Sequence, residues 1–241
     1  MLSKNEAKYI QSLFHKKQRQ ELGLFIAEGI KLVEELLNSD IVIKKIYATE
    51  DWELPSRKKA EVTRVTADEL QKISGLQTAN KVLAIAEQPV LPQIKLVKNK
   101  WIMALDGIQD PGNMGTLIRI ADWFGIDTIV ASEDSVDAFN PKVVQSTMGG
   151  FARVNVHYTD IETFLRAAKR PVYGALLNGQ SIYTTPTVNE GILLIGNESK
   201  GIHASLLPLI SHPVSIPKIG GAESLNAAIA AGILISHLIK P

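Results

Sequence analysis

Between Trp101 and Ile216 the chain repeats one pattern: a short, almost uninterrupted apolar run, a polar turn, then a stretch whose apolar residues recur every three or four positions. The apolar runs are Trp101 to Leu105, Thr128 to Ala131, Arg153 to Val156, Val172 to Leu176, Gly191 to Ile195 and Pro213 to Ile216. Helical periodicity fills Met114 to Phe124, Pro141 to Met148, Ile161 to Ala168 and Leu225 to Ile239. Strands that are apolar on both faces and separated by helices predict an α/β fold with a parallel sheet covered by helices. Ligands of such sheets bind beyond the carboxyl ends of the strands. Candidate chemistry is therefore sought in the loops after Leu105, Ile195 and Ile216.

The first part of the chain alternates on a smaller scale. A polar helix over Ser3 to Gln18 is predicted, then a strand (Leu24 to Ala27), a helix (Gly29 to Asn38), strands at Ile43 to Ala48 and Val62 to Val65, a helix (Ala67 to Ile73) and a strand (Val82 to Ala86). This reads as a small α/β domain. Gln88 to Gln93 carries two prolines between apolar runs, which suits an extended connector. The expected division is a first domain over 1–87, a linker over 88–97 and a second domain over 98–241.

Composition narrows the chemistry more than it identifies it. There is no cysteine, which excludes a disulfide framework, a thiolate nucleophile and Cys-ligated metal sites. The five histidines have no ligand-like spacing, and no metal is expected. No apolar stretch reaches membrane-spanning length, and Met1 to Gln20 is polar and basic, unlike a signal peptide, so a soluble cytoplasmic protein is expected. The net charge is only +1, yet Lys4, Lys8, Lys16, Lys17 and Arg19 face the single acid Glu6 within the first twenty residues. Those five cations are candidate RNA-binding residues, although a solvated helix face would carry the same pattern.

Each of the three loops is unusual. The first runs from Asp106 through Gly107, Pro111, Gly112 and Asn113 into a helix that holds Arg119, with Asn113 read as the helix N-cap. The second, Gly196-Asn197-Glu198-Ser199-Lys200-Gly201, places a carboxylate between two glycines. The third, Ile216 to Asn226, contains Gly220-Gly221 and Ser224, taken alone an N-cap, and precedes a helix apolar nearly all round, which must be buried in a core or at a subunit interface. A capped helix or a surface turn would explain any one of them. Three such loops at the ends of three strands of one sheet are harder to attribute to chance.

Asn113-Met114-Gly115 followed by Arg119, then Gly196 to Gly201, then Ser224-Leu225-Asn226 resemble the three ordered motifs of the SpoU, or TrmH-like, RNA ribose methyltransferases over roughly residues 100 to 240. The segment around Phe25-Ile26-Ala27-Glu28-Gly29 is similar to the substrate-binding domain many members carry. The resemblance implies a trefoil knot formed by the C-terminal segment, a homodimer with the active site near the subunit interface, and S-adenosylmethionine as cofactor. It further implies that Gly196, Ile216 and Leu225, with Leu176 and Gly201, line the cofactor pocket. Asn113, Arg119, Glu198, Ser224 and Asn226 become the catalytic set, acting on a ribose 2′-hydroxyl of structured RNA. The added N-terminal domain favours ribosomal RNA over transfer RNA. One departure is Ala227-Ala228, where many relatives have valine and serine.

Arginine keeps its proton in nearly all protein settings, so Arg119 is expected to orient the hydroxyl or an RNA phosphate rather than to act as the base. Two other classes compete. A dinucleotide-binding oxidoreductase shares the fold class, but no Gly-x-Gly-x-x-Gly turn follows a predicted strand. A catalytically inactive RNA-binding protein on the same scaffold would need no intact motif set, whereas this chain retains all five residues.

Overall fold

The computed structural model describes residues 2–55 and 60–239, arranged as two compact units. The first comprises residues 1–90 together with 137–152, and the second 91–136 with 153–241.

The first unit begins with two helices, α1 (Lys4–Ser12) and α2 (Lys16–Leu22), where the sequence predicts one. The break has a side-chain cause. Arg19 is only 1% exposed, and its Nη1 donates to the carbonyls of Leu13 and Phe14 at 3.0 and 2.9 Å, taking up acceptors that a terminating helix leaves unpaired. There follow β1 (Leu24–Glu28), α3 (Ile30–Leu37), β2 (Ile43–Ala48), β3 (Val62–Arg64), α4 (Ala67–Ile73) and β4 (Val82–Glu87). The strands form a mixed sheet in the order β1-β4-β2-β3, antiparallel except between β2 and β3. Thr66 and Glu69 close a capping box at the start of α4, as their spacing dictates.

Successive side chains of β1 enter two different cores because a strand alternates its faces. Leu24 and Ile26 join Ile10, Leu13, Leu70 and Ile73 from α1, its C-terminal turn and α4. Phe25 and Ala27 join Val33, Leu36, Val144 and Phe151. The last two residues belong to the second half of the sequence. The second unit opens with β5 (Trp101–Leu105), α5 (Pro111–Trp123) and β6 (Thr128–Ala131); the chain then supplies α6 (Pro141–Thr147) to the first unit's sheet before returning. Phe139 packs tilted and Phe151 edge-on against Phe25, with ring centroids 4.8 and 5.6 Å away. The segment is pinned at its start by Asp137, whose Oδ2 accepts from Arg19 Nη2 at 2.6 Å and from Nε at 3.1 Å.

The second unit continues with β7 (Asn155–Tyr158), α7 (Ile161–Ala168), β8 (Val172–Ser181), β9 (Gly191–Ile195), β10 (His212–Ser215) and α8 (Ala227–Leu238). All six strands are parallel, in the order β10-β8-β9-β5-β6-β7. Ile102, Ala104, Ile192 and Leu194 face Ile161, Leu165 and Leu206 on one side. Alternation turns Met103 and Leu193 to the opposite face, where α5 and α8 pack together. The strands β5 and β9 are neighbours, but the chain leaves β5 toward β6 and leaves β9 toward β10 on the far side of β8. Their carboxyl ends therefore form a topological switch point, the place where an open parallel sheet leaves a crevice for a ligand. Among the described residues no helix is long and apolar enough to cross a membrane.

Candidate active site

At the switch point the first loop is built on a rigid turn. Asp106 extends the β5–β9 ladder by donating its N–H to Ile195 O at 2.9 Å, and its buried carboxylate accepts the His203 N–H at 2.6 Å. Gly107 has φ +70°, a left-handed conformation that favours glycine. Its N–H donates to Ser132 Oγ at 2.8 Å, and the next amide, of Ile108, donates to Ser135 Oγ at 3.1 Å. Ser132 in turn donates to Asp134 Oδ1 at 2.6 Å.

The helix that follows is capped by Asp110, not by Asn113 as the sequence reading expects. Asp110 Oδ1 accepts the Asn113 N–H at 2.7 Å, and Pro111 takes the first helical position, where a missing N–H costs nothing. The consequence is functional, because the Asn113 side chain is released from capping. Its Nδ2 donates to Glu198 Oε1 at 2.7 Å, and its Oδ1 accepts from Asn226 Nδ2 at 2.7 Å. Asn226, rather than Ser224, caps α8, its Oδ1 accepting from Ala228 and Ile229 N–H groups at 3.0 and 3.2 Å. One continuous chain of hydrogen bonds, Glu198 to Asn113 to Asn226 to the first turn of α8, thus joins all three loops.

The loop carrying Glu198 is itself closed. Asn197 and Gly201 exchange backbone hydrogen bonds at 3.0 and 2.9 Å, with Gly201 at φ +70°. A Cβ on Gly196 would come within 2.3 Å of the Gly201 carbonyl carbon and the Ile202 nitrogen, so glycine is needed there for the loop to fold onto its own backbone. Asn197 Nδ2 reaches across to Gly107 O at 2.7 Å. Beyond β10, residues 217–225 are exposed and make no hydrogen bond with any described residue, leaving a run of free main-chain donors and acceptors. Ile216 and Leu176 are half-buried and Leu225 is 48% exposed.

The structure therefore brings Asn113, Glu198 and Asn226 into direct contact. Ser224 is exposed and makes no hydrogen bond with the described residues. Arg119 is exposed and unpaired among them; six residues beyond Asn113, it projects about 120° around α5 from that side chain. Of the five basic candidates near the start, Lys4, Lys8, Lys16 and Lys17 are exposed, Lys17 lying 3.8 Å from Glu21. Arg19 has to be removed from that set. Its guanidinium is spent on Asp137 and two carbonyls and is closed to solvent, so it holds the fold and cannot meet a phosphate. Asp106, Ser132, Ser135 and Asn197 were not singled out from sequence. Their only signal is position: all four are small polar residues just beyond strand ends, and Asp106 and Asn197 also adjoin a glycine. Among the described residues no group of three or more His, Asp or Glu side chains is placed to hold a metal ion.

Both parts of the chain are similar to known proteins. Residues 4–84 match the MRM3-like substrate binding domain. The 23S rRNA (guanosine(2553)-2′-O)-methyltransferase RlmP of Bacillus subtilis is 33% identical over 95% of this chain and 93% of its own length. An AdoMet-bound rRNA methyltransferase from Sinorhizobium meliloti superposes with a TM-score of 0.88 at 30% identity, covering 99% of this chain and 96% of that one. A TrmH-family protein of Porphyromonas gingivalis gives 0.85 at 37% identity, over 99% and 98% of the two chains. Residues 100–236, which hold the six-stranded sheet and every member of the hydrogen-bonded cluster, match the SpoU rRNA Methylase family, and the chain belongs to that family.

Proposed function

We propose that this protein transfers a methyl group from S-adenosylmethionine to a ribose 2′-hydroxyl of ribosomal RNA. The observation that carries the reading is the Glu198–Asn113–Asn226 hydrogen-bond chain at the switch point, beside a loop whose main-chain groups are free. Family membership and the rRNA methyltransferases among its relatives support the same substrate class.

The residues present fit the cofactor. A nucleoside is well served by unpaired main-chain donors and acceptors for its polar edge and by apolar side chains for its rings, which residues 217–225, Ile216, Leu225 and Leu176 offer. Gly196 and Gly201, in the loop that closes on its own backbone, would complete the pocket. When bound, the cofactor supplies an electrophilic methyl group on a sulfonium. The protein's own task is orientation. Asn113, held from both sides, presents a fixed amide edge to the ribose; Glu198 keeps that edge from rotating; Asn226 and Ser224 shape the wall. Arg119, a permanent cation, holds the 2′-hydroxyl or a neighbouring phosphate in line.

The first unit, up to the connector at 88–97, serves as the RNA-binding domain, with Lys4, Lys8, Lys16 and Lys17 meeting phosphates. The C-terminal segment is threaded as a trefoil knot, a reading consistent with Val188 donating its N–H to Leu238 O at 2.8 Å. The protein acts as a homodimer in the cytoplasm. Supporting the dimer, Trp123 is 84% and Ile229 56% exposed on the packed pair α5 and α8, and Arg119 shares the Trp123 face of α5, one turn away.

Incubation with labelled S-adenosylmethionine and ribosomal RNA, followed by mapping of 2′-O-methyl sites, tests the reading. Arg119→Ala should abolish transfer while calorimetric cofactor binding persists. Methyl transfer to transfer RNA alone, or cofactor binding with no transfer to any RNA, would overturn it.

A further inference from the structure

We infer that Asn197 is a positioning residue, a staple that sets the spacing between the Glu198 loop and the Asn113 loop; this rests on the methyl-transfer reading above. Asn197 uses both ends of its amide. The carbonyl oxygen accepts the Ser199 and Lys200 N–H groups at 2.9 and 3.0 Å, which folds the turn immediately beyond Glu198. The amide nitrogen donates to Gly107 O at 2.7 Å, in the turn that leads to Asn113. In the same turn Gly107 N–H is held by Ser132 and Ile108 N–H by Ser135, so the peptide plane between Gly107 and Ile108 is gripped at both ends, by Asn197 at its carbonyl and by Ser135 at its N–H.

The geometry gives the staple leverage. Glu198 is the next residue after Asn197, and Glu198 meets Asn113 through a single 2.7 Å hydrogen bond. A relative slip of the two loops by an ångström would break that contact and turn the Asn113 amide, and misplacement of that size costs about a hundredfold in rate. Gly107 has no side chain of its own to restrain the slip, and an added Cβ there would meet Asn197 Cβ at 3.6 Å, so the two residues already sit against each other.

Two substitutions separate the two ends of the amide. Asn197→Asp keeps an oxygen for the Ser199 and Lys200 N–H groups but turns an acceptor toward Gly107 O. Asn197→Ala loses both. If the staple acts as inferred, both variants lose kcat by roughly a hundredfold, with the KM for cofactor and RNA moving much less. Acidification should then narrow the deficit of Asn197→Asp relative to wild type measured at the same pH, because a protonated carboxyl can again donate to Gly107 O. Amide hydrogen exchange on the ligand-free variants gives a readout independent of activity. In Asn197→Asp, residues 106–110 should exchange about tenfold faster while Ser199 and Lys200 stay protected. The inference is overturned if Asn197→Asp matches wild type in turnover or in exchange at 106–110, or if its relative activity ignores pH. Absence of methyl transfer by the wild-type protein, together with the stated exchange pattern in Asn197→Asp, would sink the proposed reaction and leave the staple standing.

Discussion

Replacing Arg19 with alanine removes four hydrogen bonds at once. Two run to Asp137 Oδ2, and two satisfy the carbonyls of Leu13 and Phe14. The Arg19 side chain is 1% and the Asp137 side chain 13% exposed, so solvent screens the pair little. Breaking a buried ion pair by deleting one partner costs about 3–5 kcal/mol, chiefly because the surviving charge is left uncompensated. Each orphaned carbonyl adds roughly 1–3 kcal/mol, and water entering the vacated space returns part of it. A net loss of about 4 kcal/mol is a large share of a typical domain's stability. For a unit of this size it corresponds to a fall in melting midpoint of roughly 10–20 °C.

Thermal melts by circular dichroism measure that fall, and hydrogen exchange locates it. The amides of α6 should lose protection first, because Asp137 leads directly into that segment. In a cycle with Asp137→Ala the two losses should be non-additive by about 2 kcal/mol. An Arg19→Ala protein melting within about 2 °C of wild type, with an additive cycle, would show that the ion pair does not hold the 137–152 segment and that the reasoning from burial is wrong.

Asn226→Asp should leave stability near wild type, since a carboxylate caps the first turn of α8 at least as well as an amide, yet lower methyl transfer by removing the donor to Asn113. Asn226→Ala should lose about 1 kcal/mol in denaturant titration as well. Burial raises the Glu28 carboxyl above its ordinary value, outweighing the hydrogen bonds from Ser74 and Gly75 that favour the charged form. The stability this group contributes is therefore fully present below pH 4.5, its unfolded value, and is lost as pH rises through the higher folded value. The melting advantage of wild type over Glu28→Gln should shrink correspondingly between acid and neutral pH. Replacing Lys4, Lys8, Lys16 and Lys17 with glutamine should flatten the salt dependence of ribosomal RNA binding, by about 0.7–0.9 in logarithmic slope for each lysine that meets a phosphate. Arg19 variants that remain folded should leave that slope unchanged.

Sequence alone settled the parts of this protein that depend on local pattern. β5, β6 and β9 lie where uninterrupted apolar runs place them, because a strand buried on both faces has no other composition available. The three loops were legible for the same reason, as polar, glycine-bearing interruptions at strand ends, and the rule for parallel sheets already put them on one edge. What pattern could not supply was the identity of partners. Nothing in the amphipathic stretch Pro141 to Thr147 says which sheet it covers, and it covers the first unit's. Nor does the charge of Arg19 distinguish a phosphate contact from a buried bond to a carboxylate 118 positions away. The capping roles moved from Asn113 to Asp110 and from Ser224 to Asn226 because helix starts offer several eligible side chains, and the choice follows from what else each can reach. Periodicity records only which residues leave water; their companions are decided by the tertiary fold, through contacts whose energies depend on distances the linear chain does not contain.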